Sequence, residues 1–123
     1  MHYELPLDAD GNKVVRIGHS PDPDDAFMFH AMTTGAFPTP GYNFVHELQD
    51  IETLNHRAIN QELEVSAVSI HAYPEISQHY ALMNCGASMG EGYGPMVVSM
   101  SGVSEEDVRS NIIAVPGMKT SAY

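Results

Sequence analysis

Apolar positions along the chain recur first with the period of a strand and then with that of a helix, twice over, before the pattern loosens past residue 70. Val14-Val15-Arg16-Ile17-Gly18-His19 is a β-branched run that predicts a short buried strand. Pro21 and Pro23 lack amide hydrogens and so end any ladder. Asp24 or Asp25 can cap the next segment, and residues 26–32 are almost wholly apolar, which predicts a helix buried all round. Turn residues crowd residues 35–41, and the partial alternation of residues 42–48 predicts a second strand. Asp50 is a good N-cap. Behind it Ile51, Leu54, Ala58 and Ile59 fall at helical spacing, with polar Glu52, Asn55, Arg57 and Asn60 between them, the pattern of an amphipathic surface helix. Residues 63–70 predict a third strand. The order strand, helix, strand, helix, strand implies parallel pairing through right-handed crossovers, so the fold class is α/β, a mostly parallel sheet flanked by helices.

The remainder is less regular. Residues 71–78 predict a short helix, residues 80–84 a strand, residues 95–100 an extended segment and residues 111–115 a last strand. Between these, Ser104 can cap a helix over residues 105–109, whose acids suit a helix start. Residues 116–123 read as a turn entering a further helix. A strand that leads into an unfinished helix leaves apolar surface uncovered, the expectation for a fragment. Residues 1–12, polar and ending in Asp10-Gly11-Asn12, read as a loose arm.

Composition narrows the partners. A formal charge of -11, from 16 acids against 5 Lys and Arg, argues against nucleic acid and against an anionic membrane surface. No apolar run approaches the roughly 20 residues that span a bilayer, and the N-terminus lacks the basic and apolar regions of a signal peptide, which predicts a cytoplasmic protein. The single cysteine, Cys85, excludes an internal disulfide framework and reads as a small buried residue.

Several stretches invite a chemical reading. Gly90-Glu91-Gly92-Tyr93-Gly94 lacks the strand before and the helix start after that a dinucleotide fingerprint needs, and reads instead as a sharply turning or hinge segment. Gly117-Met118-Lys119-Thr120-Ser121 resembles the tail of a phosphate loop without its first glycine and spacing, yet Thr120 and Ser121 at a helix start could contact a carboxylate or phosphate. Asp22, Asp24 and Asp25 could attract a hard cation, but no calcium-loop spacing accompanies them, and aspartate beside proline caps and turns. Among seven histidines, His19 and His71 stand out because each lies at or just past a strand's carboxyl end, where parallel sheets hold ligands; His30, His56 and His79 fall in helices. No residue requires a metal or an organic cofactor.

Taken in order, Ser20-Pro21-Asp22-Pro23-Asp24-Asp25-Ala26-Phe27, Asp50-Ile51-Glu52-Thr53-Leu54-Asn55, Val68-Ser69-Ile70-His71-Ala72-Tyr73, Gly90-Glu91-Gly92-Tyr93-Gly94-Pro95 and Ala114-Val115-Pro116-Gly117 resemble the 1,4-dihydroxy-6-naphthoate synthase family of the futalosine route to menaquinone. The resemblance runs from about residue 14 to residue 123. It implies a type II periplasmic-binding-protein fold of two α/β lobes about a cleft, with residues 1–95 as the first lobe and residues 96–123 as a crossover and the start of a truncated second lobe. It also implies a small-molecule substrate and a cytoplasmic carbon-carbon lyase that converts cyclic dehypoxanthinyl futalosine to 1,4-dihydroxy-6-naphthoate. By the same resemblance Ala67, Val68 and Ser69 match substrate-contacting positions on one cleft wall and Ser121 and Ala122 on the other, with Ser20 lining the cleft. Thr120 joins them through its hydroxyl. The family's proton-abstracting histidine would lie beyond Tyr123, so this chain holds no catalytic residue and should be inactive alone. The loop departs from the family's Ser-Pro-Cys-Pro-Asn-Asp-Thr-Phe, with Asp22 for Cys, Asp24 for Asn and Ala26 for Thr, which makes it more anionic. A solute-binding protein of the same fold and the related chorismate dehydratase are the alternative readings.

Overall fold

Strand β1 (Lys13–His19) is the middle of a three-stranded parallel sheet of order β2-β1-β3, with β2 (Tyr42–Leu48) on one side and β3 (Val65–Ser66) on the other. The computed structural model describes residues 3–100 and 102–123. Pairing of β1 with β2 runs unbroken from Lys13↔Tyr42 to His19↔Leu48. A central parallel strand is covered on both faces, and accordingly Val15, Ile17, Gly18 and His19 are all buried.

The third strand is far shorter than the expected residues 63–70. It pairs only Ile17↔Val65 and Gly18↔Ser66, with one further bond from Ala67 N to Gly18 O at 2.8 Å. The reason is local competition: the Ser69 amide donates to the Asn55 side chain at 2.9 Å instead of to a neighbouring strand.

Helix α1 (Pro23–Thr33) is capped by Asp22, not by Asp24 or Asp25: Asp22 Oδ1 accepts from the amides of Asp24 and Asp25, both at 3.1 Å. Pro23 at the first helical position loses nothing by lacking an amide hydrogen. The burial expected of this helix is not observed. Phe27 is 85% exposed and Asp25 is its only buried residue, because an all-apolar helix can turn only one side to a three-stranded sheet and here it turns the Phe29 side.

Helix α2 (Ile51–Ile59) follows its pattern closely. Asp50 caps it, accepting from the Thr53 amide at 2.9 Å, and Leu54 and Ala58 are buried with Val15, Ile17, Leu63, Ala72 and Ile76 to form the core. Ala72 leads into α3 (Tyr73–Ile76). Gly18 is where α2 comes closest to the sheet, since a Cβ there would lie 2.5 Å from Leu54 Cδ2 and 2.6 Å from Leu63 Cδ1.

The expected loose arm is pinned where it is described, its first two residues lying outside the described range. Val14 N donates to Pro6 O at 2.8 Å, Leu7 bridges Lys13, and Tyr3 Oη donates to Glu64 Oε1 at 2.7 Å. Glu64 also accepts from the Arg16 amide and guanidinium at 2.6 to 2.9 Å. Beyond α3 the structure departs most from the pattern. Helix α4 (Glu105–Ser110) forms behind a Ser104 capping box, but residues 80–84, 95–100 and 111–115 are not strands. Alternation alone makes no strand without a partner edge, and none reaches these segments among the described residues. Their apolar side chains stay outside, Val98 at 86% exposure for example, as does Cys85, which is exposed rather than buried. Residues 117–123 make two successive turns, Thr120 N to Gly117 O and Tyr123 N to Thr120 O, both at 3.3 Å, in place of the expected helix.

Candidate functional site

In a sheet of order β2-β1-β3 the chain leaves β1 for one neighbour and returns to the other, so the topological switch point lies between the carboxyl ends of β1 and β3. Ser20 follows the first of these ends, and Ala67, Val68 and Ser69 follow the second. Four of the seven candidate residues therefore flank one crevice by topology alone.

Three more arrive there through a polar knot built on Asn55. This side chain is fully buried on α2. Its Oδ1 accepts from Ser69 N at 2.9 Å, and its Nδ2 donates to Ser69 Oγ at 3.3 Å and to Lys119 O at 3.0 Å. Glu52, one turn earlier, accepts from Lys119 N at 3.0 Å, and Lys119 Nζ pairs with Glu75 at 2.6 Å. The turn of residues 117–120 is thus clamped from both sides, and a Cβ on Gly117 would collide with the Glu52 carboxylate. Ser121 Oγ, next along, accepts from His71 N at 3.3 Å. So residues 67–69 and 119–121, about fifty positions apart, meet in the fold.

What each hydroxyl can still do differs. Thr120 is buried and its Oγ1 donates to Gly117 O at 2.8 Å, so its hydroxyl closes the turn and has no proton for a ligand. Ser69 and Ser121 only accept, and neither hydroxyl proton has an acceptor among the described residues. Because residues 120–123 are turns, the helix-end amides expected to attract an anion there are missing. Ala67 and Val68 contribute a half-buried wall, and Ala122 is exposed at the edge of a separate, open depression among residues 95–116. His71 takes part through its backbone amide while the residue is exposed.

Ser20 faces elsewhere. It lines a cavity of about 330 Å³ between β1, β2 and α1, together with His19, Phe29 and His46. Its amide donates to Asp25 Oδ2 at 2.6 Å, which explains why Asp25 turns inward, and Ser20 Oγ accepts weakly from Asp22 N at 3.4 Å. With Asp24 accepting from the Ser88 hydroxyl at 2.7 Å, the three aspartates serve three different partners. Hydrogen bonds from the Asp25 amide, the Ser20 hydroxyl and the Asp24 amide hold the Asp22 carboxyl below its usual range.

Two residues missed by the pattern carry this architecture. Asn55 reads as one of the polar positions of α2, yet it stands four residues after Ile51 and four before Ile59, on the apolar side, and that placement was the available signal. His46 shares a β2 face with Phe44 and Leu48, which marks it as inward-facing, although no spacing links it to His19. The glycine stretch 90–94 behaves as a turning segment, with Gly92 at φ +76°, and no helix begins after it.

The sheet order and the crevice at its strand ends define an open parallel α/β unit of the kind that holds ligands beside the carboxyl edge. The chain belongs to the menaquinone biosynthesis family, whose profile matches residues 15–123. It is 35% identical over 112 residues to the 1,4-dihydroxy-6-naphthoate synthase of Thermus thermophilus and 34% identical over 110 residues to that of Streptomyces coelicolor. These alignments take in 90% and 89% of this chain but only 40% and 38% of the relatives. A crystal structure of a protein from Archaeoglobus fulgidus matches with a TM-score of 0.63 at 50% identity, over 67% of this chain and 31% of that one. No described helix is long and apolar enough to cross a membrane.

Proposed function

We propose that this chain supplies one cleft wall of a cytoplasmic 1,4-dihydroxy-6-naphthoate synthase, a carbon-carbon lyase acting on cyclic dehypoxanthinyl futalosine. The observation that carries the reading is the meeting of residues 67–69 with residues 119–121 at the switch point, in a chain similar to two synthases over nine-tenths of its length. In this reading the fold of the whole protein is the two-lobed type II periplasmic-binding-protein arrangement. Residues 1–95 form its first lobe, residues 96–123 a crossover and the start of the second, and the proton-abstracting histidine belongs to the other lobe.

The wall's contribution is positioning. Ser69 and Ser121 offer hydroxyl protons toward a substrate carboxylate or sugar hydroxyl, and Asn55 fixes the spacing between the segments that carry them. Ala67 and Val68 supply apolar contact, Thr120 holds the turn, and Ala122 and Ser20 line the approach. Incubating the intact gene product with cyclic dehypoxanthinyl futalosine should release 1,4-dihydroxy-6-naphthoate, followed by mass spectrometry; no release refutes the assignment. Ser69→Ala and Ser121→Ala in that protein should each weaken substrate binding by about 1 to 3 kcal/mol, the usual cost of leaving a polar partner unmet. Unchanged affinity in both removes them from the site.

A further inference from the structure

The cavity between β1, β2 and α1 is separate from the Asn55 knot, and its chemistry follows from one chain of hydrogen bonds. Ser20 O is a carbonyl and can only accept, so His19 Nδ1, 3.2 Å away, carries a proton. In the neutral ring His19 Nε2 then offers a lone pair, and His46 Nδ1, 3.0 Å from it, must donate. That leaves His46 Nε2 unprotonated, an acceptor that is buried and has no partner. A buried acceptor with nothing to accept from is costly, and such groups in folded proteins call for an occupant.

Neither ring is free to swing out. His19 stacks on Phe29 with centroids 4.3 Å apart, and His46 stands edge-on to both rings at 5.2 and 5.8 Å. Burial first, and the neighbouring His19 second, hold His46 below the ordinary histidine range, which keeps the lone pair available at neutral pH. The walls add selectivity. Pro21, Ala26, Phe29 and Leu48 are apolar, and no Asp, Glu, Lys or Arg lines the cavity, so neither an anion nor a cation finds a fixed counter-charge there. Its volume, about 330 Å³, is at the small end of ligand pockets.

We propose that this cavity binds a neutral, planar aromatic alcohol, whose hydroxyl donates to His46 Nε2 and whose ring packs beside Phe29. The inference stands on the cavity and the histidine pair and does not require the synthase reading. It is tested by titrating the chain, labelled with ¹⁵N at its histidines, with phenol and, separately, with anisole, which has the same ring and no hydroxyl proton. Phenol should shift the His46 Nε2 resonance toward the hydrogen-bonded value, and anisole should leave it in place and bind at least tenfold more weakly. His46→Phe, which keeps an aromatic edge and removes the nitrogen, should abolish the preference for phenol. Equal binding of phenol and anisole, no movement of the His46 resonance, or a His46 Nε2 that is already protonated in the free protein at neutral pH would each overturn the proposal. Because the phenol and anisole comparison uses the unaltered chain, a misfolded variant does not blunt it.

Discussion

Replacing Asn55 by alanine removes the three hydrogen bonds that tie α2 to Ser69 and to Lys119. Asn55 is fully buried, so water cannot readily take its place, and the Ser69 amide and the Lys119 carbonyl are left without partners. Each orphaned group costs about 1 to 3 kcal/mol, and the two are not additive because they share one turn. Lys119 keeps its amide bond to Glu52 at 3.0 Å, which holds that turn at one point and limits the loss. The net destabilisation should be about 2 to 4 kcal/mol. With a urea dependence of about 1 to 2 kcal/mol per molar for a chain of this size, the unfolding midpoint should fall by roughly 1 to 3 M. Asn60→Ala is the reference, an exposed residue of the same type whose side chain only meets Glu62 at 3.1 Å, and it should move the midpoint little. Amide exchange at Ser69 should speed up in the Asn55 variant alone. A midpoint within about 0.3 M of the Asn60 variant, with Ser69 protection unchanged, would refute the claim that Asn55 joins the two segments.

Two further outcomes follow from the geometry. The Arg16 hydrogen bonds, aided by Tyr3, hold the Glu64 carboxyl down at about 2 from an ordinary 4.5, so its folded value is depressed and its stabilisation is present above pH 4.5 and lost as pH falls toward 2. That is worth at most about 3 kcal/mol, and less because the Arg16 side chain is 39% exposed; Glu64→Gln should therefore cost stability at pH 7 and little at pH 2, and a penalty that stays constant across that window refutes the linkage. Gly18→Ala should destabilise by about 1 to 3 kcal/mol in thermal or urea unfolding, since the added methyl meets Leu54 and Leu63, whereas strand propensity by itself would favour alanine; an equally or more stable variant would show that α2 is not seated tightly on β1.

Local chemistry was legible in the chain wherever a residue acts on its own neighbours. Asp50 and Ser104 cap the helices their positions announce, and the strand and helix periods of residues 13–59 survive almost unchanged, because capping and amphipathic patterning are decided within one or two turns. The resemblance to the synthase family was likewise readable from short motifs in order, and the family profile covers the same residues.

Tertiary structure decided the rest. Whether residues 80–84, 95–100 and 111–115 become strands depends on a partner edge, which no periodicity can supply, and α1 is exposed because the sheet offers cover to only one of its sides. The candidate residues divide for the same reason. Ser69, Thr120 and Ser121 are gathered because Asn55 spans 64 positions to reach Lys119, while Ser20 turns into the cavity where His19 meets His46 across 27. A contact between distant residues is fixed by which elements share a sheet edge, so the sequence by itself determined the elements and their caps, and only the packing of α1 and α2 on that sheet determined which polar atoms were paired and which was left waiting for a donor.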